Sequence, residues 1–226
     1  MKKSLYVIGL IVGAIVVAIS CSKLEPAAPA DDQLLDGPVE GLTTAQTAQF
    51  LAGDVAFNDQ IFTRETGLGP IFVATSCGSC HAGDGKGHPF NTLTRFGIND
   101  SLGKNEFDNG PQLQNRALPG YMPEQLPPGT PFARFTPPAN TGLGFLELVS
   151  EDDLLAMAAA NTTNPDGVRG HPNYSALPTF VAPNPNSYTQ NGRYITRFGK
   201  KAATYNLFHQ VVQAYNQDIG ITSTFN

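Results

Sequence analysis

Ser76-Cys77-Gly78-Ser79-Cys80-His81-Ala82-Gly83-Asp84-Gly85-Lys86-Gly87-His88 is the stretch from which the rest of the chain is read. It holds two of the three cysteines and two of the four histidines in 226 residues. Cys77, Cys80 and His81 form the C-x-x-C-H pattern that attaches a c-type haem. Two thiols at that spacing add across the two porphyrin vinyl groups. The histidine that follows is carried under the ring, where its imidazole ligates the iron. Serine in place of either cysteine loses a thioether, and replacing His81 loses the axial bond.

Three other uses of a C-x-x-C pair compete with haem. A thioredoxin-like dithiol opens a helix after a hydrophobic strand, whereas a Gly-rich run follows here from Ala82 to Gly87. A zinc site needs four Cys or His ligands, usually in two pairs, and His88 alone leaves the set incomplete. A disulfide is possible in an oxidising compartment, but a two-residue gap closes a small, strained loop. The adjacent histidine and the export signal favour one covalent haem c on Cys77 and Cys80, with His81 as the iron ligand.

That signal stands at the other end of the argument, in the leader. Lys2 and Lys3 give a positive start, and Leu5 to Ile19 is apolar and uncharged, shorter than the ~20 residues of a membrane span. The run ends in Ala18-Ile19-Ser20-Cys21, which resembles a bacterial lipobox. Residues 1–21 therefore read as a lipoprotein signal with Cys21 as the lipidated first residue. The plainer alternative is ordinary cleavage with a free Cys21. Residues 22–41, rich in Ala, Pro and Asp, read as a flexible tether, and residues 42–226 as the haem domain. The expected location is the periplasmic face or the outer membrane, held by the lipid anchor. The formal charge is −5, and loss of Lys2 and Lys3 makes it more negative, which argues against nucleic acid as a partner.

With 23 Gly and 18 Pro, the chain should hold long ordered loops. Apolar residues recur at helical spacing from Thr43 to Phe62, with Phe50, Phe57 and Ile61 on one side and a break at Gly53. Pro70 suits the first position of a short helix to about Cys77, presenting Ile71, Phe72 and Ala74 to the haem. Residues 83–149 read mostly as loop, their prolines crowded between Pro111 and Pro138, with the haem as the surface they cover. Ser150-Glu151-Asp152-Asp153 carries an N-terminal cap with acids in the first turn. Asn164-Pro165-Asp166-Gly167 reads as a turn. Lys200 to Asp218 is the clearest long helix, with Leu207, Val211 and Tyr215 spaced by four and Gly220 as its stop. The expected class is mainly α, a cytochrome-c-like haem domain with long Pro/Gly-rich loops.

Several stretches taken together resemble one family. They are GLGPIFVATSCGSCHAGDGKG from Gly67, GPQLQNRALPG from Gly110, GLGFLELV from Gly142, NPDG from Asn164, RFGKKA from Arg197 and NQDIGITS from Asn216. In that order, over about residues 65–224, they are similar to the bacterial di-haem oxidoreductases of peroxidase or thiol-oxidoreductase type, relatives of di-haem cytochrome c peroxidases. The resemblance implies an α-helical fold and peroxide or related redox chemistry, with this chain equivalent to the N-terminal half. The family's second C-x-x-C-H lies beyond the point where this sequence stops. Its acidic turn is thinned to Asn164-Pro-Asp-Gly, which puts bound calcium in doubt, and Lys200 stands where an aromatic residue is usual. These readings imply a redox partner or a second haem-bearing chain, docked on an exposed apolar patch of the Lys200–Asp218 helix and the Tyr205–Leu207 region.

The remaining question is the far side of the iron. A peroxidase needs an exchangeable sixth position with an acid/base group nearby, whereas an electron carrier often fills it with Met. Met122, flanked by Tyr121 and Pro123, is the candidate for that role, although a loop methionine packed on the haem edge is the preferred reading. His88, His171 and His209 read as surface or structural residues. Glu147 is either a buried acid/base group or an acid serving a helix start, and Gln114 and Arg116 could meet propionates, peroxide or solvent.

Overall fold

The computed structural model describes residues 37–83, 85–87, 90–97, 112–126 and 128–225. The leader, Cys21, most of the tether and His88 lie outside the described residues. From Pro38 the chain forms one compact unit.

Helix α1 (Thr44–Asn58) starts at Thr43 through a reciprocal cap. The Thr43 hydroxyl accepts from the Gln46 N–H at 3.3 Å, and the Thr43 N–H donates to Gln46 Oε1 at 2.9 Å. The expected break at Gly53 does not occur, because one glycine costs only about 1 kcal/mol and the cap secures the start. Ile61 lies past the helix and is exposed.

The expected helix from Pro70 to Cys77 is instead extended. Strand β1 (Ile71–Phe72) pairs antiparallel with β3 (Arg116–Ala117), Ile71 opposite Ala117. The β-branched and aromatic run Ile71-Phe72-Val73 suits a strand, and its N–H groups find acceptors across the chain. Those of Val73 and Ala74 donate to the Asp218 carbonyl at 2.8 and 3.0 Å. Phe72 and Ala74 are therefore buried in the protein interior. Strand β2 (Leu93–Phe96) pairs antiparallel with β4 (Phe132–Phe135) within the stretch expected to be loop. Helices α2 (Leu143–Leu148) and α3 (Glu151–Ala160) follow. Ser150 caps α3 as expected, its hydroxyl accepting from the Asp153 N–H at 3.0 Å. A three-stranded sheet places β7 (Arg193–Thr196) between β5 (Asn173–Ser175) and β6 (Thr189–Gln190).

The long helix is shorter than its pattern suggests. Helix α4 (Leu207–Gln217) begins at Asn206, whose side chain accepts from the His209 N–H at 2.8 Å. Residues Lys200 to Thr204 form a turn, with the Ala203 N–H on the Phe198 carbonyl. The buried side chains of α4 are His209 and Val212. Val211 is exposed, as is Phe208, while Tyr205 is only 6% exposed and cannot form part of a surface patch.

The C-terminal carbonyls of α4 are satisfied by other segments, which a helix end requires. Gln114 Nε2 donates to those of Asn216 and Gln217 at 3.0 and 3.1 Å. Asp218 serves Val73 and Ala74, and Ile219 accepts from the Gly69 N–H at 3.2 Å. Around these bonds Phe62, Leu68, Phe72 and Ile219 form the core, with Leu118, Tyr215 and Ile221 against it.

The mainly α expectation is therefore corrected. Among the described residues four α-helices stand beside seven short strands in three small antiparallel sheets, joined by extended segments. Strands of two to four residues are too short for alternation to register in the sequence.

Candidate functional site

The motif follows the strand that α4 clamps. One tight turn forms as the Cys77 carbonyl accepts from the N–H groups of Cys80 and His81 at 3.1 and 2.9 Å. Ser76 and Ser79 lock it, Ser79 Oγ donating to the Ser76 carbonyl at 2.7 Å and Ser76 Oγ accepting from the Ser79 N–H at 3.2 Å. The turn rests on the end of α1, where the Gly78 N–H donates to the Phe57 carbonyl at 3.2 Å. A Cβ at Gly78 would lie 2.9 Å from the Asn58 carbonyl oxygen, so only glycine fits between the two cysteines at that point.

Cys77 and Cys80 are half-buried free thiols. Burial first, and then the carboxyl of Asp218, push both thiols above their ordinary pKa, with the Ser79 side chain and then Arg116 opposing at Cys80. They are neutral and not primed as nucleophiles, unlike the low-pKa dithiol of a redox motif.

His81 Nδ1 lies 3.0 Å from the Pro138 carbonyl oxygen. A carbonyl only accepts, so Nδ1 carries the proton and the Nε2 lone pair remains available as a ligand. Burial lowers the pKa of His81, with the Pro138 bond opposing, which favours the neutral imidazole. The Phe57 ring stands 6.0 Å from the imidazole, tilted by 48°. Free thiols one turn apart, beside a neutral histidine with Nε2 available, fit covalent attachment of a haem with one axial ligand. Among the described residues no group of three or more His, Cys, Asp or Glu side chains could hold a bare metal ion.

Other sequence candidates fall elsewhere. Met122 is 82% exposed on the loop between Leu118, bonded to the Pro70 carbonyl, and Glu124, bonded to the Gln114 carbonyl. Glu147 Oε1 accepts from the Leu207 N–H at 2.8 Å, so this acid caps α4 and is no free acid/base group. Gln114 caps the other end of α4, and Arg116 is exposed on β3. His209, 1% exposed, accepts at Nδ1 from the Tyr205 N–H, and its Nε2 meets Gln213 at 3.0 Å. With both ring nitrogens so engaged it is a structural residue, and His171 is exposed. Arg197, passed over as part of a family stretch, holds α2 to α3. It donates to the Leu146 and Val149 carbonyls and pairs with Glu151 at 3.9 Å.

Asp218 was also missed, because an acid at a helix end reads as solvated. Burial pushes its pKa from 3.8 up to about 6, with Arg95 opposing. Between those two pH values the folded chain holds a proton that the unfolded chain has released. This contribution to stability is therefore full below about pH 4 and lost as pH rises through 6, a difference of roughly 3 kcal/mol. Asp218→Asn is expected to stabilise the chain by roughly 2–3 kcal/mol at pH 8 and leave it unchanged near pH 4. Urea denaturation at both pH values checks this, and an equal effect at both would contradict it.

Residues 133–226 match a family model described as "Di-haem oxidoreductase, putative peroxidase". The match lies on the C-terminal part of the chain, so the expected likeness to the family's N-terminal half, from about residue 65, is corrected to that range. No curated protein and no solved structure matches the chain. The matched segment includes α4 and Asp218, which hold the strand leading into the motif.

Proposed function

We propose that this chain, whose residues 133–226 match the model of the di-haem oxidoreductases of putative peroxidase type, is an exported c-type haem oxidoreductase. It carries one haem joined covalently to Cys77 and Cys80, with His81 on the iron. The observation that carries the reading is the contact of His81 Nδ1 with the Pro138 carbonyl, which leaves Nε2 for iron. The bound haem would supply the redox centre and the site for peroxide. The chain's own part is to hold the imidazole neutral and oriented and to keep two neutral thiols one turn apart. Cys21 is the proposed lipid attachment, holding the protein at the periplasmic face or the outer membrane.

Reduction of a peroxide to water consumes two electrons and two protons. These 226 residues contain one C-x-x-C-H, so the second haem of the family's chemistry would come from outside them, in a further segment or a partner chain. A redox partner of that kind is part of the proposal. The electron-carrier alternative rests on Met122, whose exposed side chain leaves its sulphur uncommitted. Steady-state peroxide reduction with a c-type electron donor tests the choice, alongside the spin state of the ferric protein. The peroxidase reading expects an iron that binds cyanide readily and turnover that rises when a second haem protein is added. A low-spin iron that Met122→Ala converts to high spin would make the protein a carrier.

A further inference from the structure

Phe57 sits in the last turn of α1, a helix with no buried residue, yet it is half-buried and outside the hydrophobic core. Three of its contacts lead to the motif and the loop after it. Its carbonyl accepts from the Gly78 N–H, and its ring faces the His81 imidazole at 6.0 Å. The same ring lies 3.8 Å from where a Cβ on Gly85 would stand, and the Gly85 N–H closes back onto the His81 carbonyl at 3.1 Å. The ring therefore fills the loop that the axial histidine begins.

The Pro138 bond fixes which nitrogen carries the proton, but a single hydrogen bond lets the imidazole plane swing about its axis. A second, directional contact is needed to set that plane. A tilted aromatic neighbour at this separation supplies one, since ring pairs within 4.5–7 Å have preferred orientations. We infer that Phe57 is a positioning residue that sets the plane of the His81 imidazole relative to the iron. The inference rests on the haem reading above and adds a residue of α1, outside the family-matched range, to the site.

The plane of an axial imidazole governs the anisotropy of the ferric signal, which packing alone would leave unmoved. The test is electron paramagnetic resonance of the ferric holoprotein, with the reduction potential measured in parallel. Phe57→Leu keeps an apolar side chain but removes the ring, and it should broaden or split the ferric signal and shift the potential. Phe57→Tyr keeps the ring and should restore both. If Phe57→Leu does not fold, judged by circular dichroism of the apo chain, Phe57→Met makes the same comparison. A leucine or methionine variant with the parent signal and potential overturns the inference. A parent protein that holds no covalent haem fails the underlying reading instead, and it is recognised before any variant is made.

Discussion

Gly220→Ala should cost about 4 kcal/mol or more and abolish the cooperative unfolding transition at ordinary temperature. Gly220 has φ +71°, and a Cβ there would stand 2.1 Å from the Ile71 carbonyl oxygen. Gly69 mirrors it, with its Cβ 2.0 Å from the Gly220 oxygen. In both cases the obstacle is backbone, so no rotamer change relieves the overlap. The left-handed conformation adds about 1–2 kcal/mol for any residue with a Cβ. To make room, the Gly69–Ala74 segment must leave the end of α4. That breaks the bonds from Gly69, Val73 and Ala74 and parts Ile219 from Phe62, Leu68 and Phe72. Gly53→Ala is the control: it lies in open space within α1 and should stabilise by up to about 1 kcal/mol. Chemical denaturation monitored by circular dichroism reads both. A Gly220→Ala protein within 1 kcal/mol of the parent would mean that the two segments are not packed as described.

The close approach of Gly69 and Gly220 was not legible in the sequence, where Gly220 reads only as a helix stop. The stop is real, but its position against Ile71 depends on residues about 150 apart. Local signals fared better. The cap at Ser150 and the Asn164–Gly167 turn form as their residue types dictate, whereas the cap at Thr43 was not read. The segment after Pro70 was misread because proline suits a helix start, whereas the free N–H groups of Val73 and Ala74 were drawn to the end of α4. Helix α4 was recognised from Leu207, Val211 and Tyr215, yet it buries His209 and Val212. A satisfied histidine counts as core there, and a hydrophobic pattern does not register it. At the site, the motif gave the three residues and their spacing. The Pro138 carbonyl and the Phe57 ring come from distant segments and carry no motif.

His81→Ala has the second large expected effect. On the proposed haem reading it removes both the Nε2 ligand and the partner of the Pro138 carbonyl, while Cys77 and Cys80 remain to hold the haem. Loss of even an outer-shell partner typically costs 10–100-fold in metal affinity or activity, so loss of the ligand itself should cost roughly a hundredfold or more. Peroxide turnover should fall by that factor with the haem still attached and the Soret band displaced. Added imidazole should recover part of the turnover by filling the vacated space. Steady-state kinetics with and without imidazole, together with the optical spectrum, provide the check. An unchanged spectrum would remove His81 from the axial position.

The central claim is that Cys77 and Cys80 bind haem covalently, and acid-acetone extraction of the purified holoprotein tests it most directly. The account predicts that the haem stays with the precipitated parent protein and passes into the organic phase from the Cys77→Ser, Cys80→Ser double variant. Haem extracted from the parent protein, or haem still bound covalently in the double variant, would contradict it.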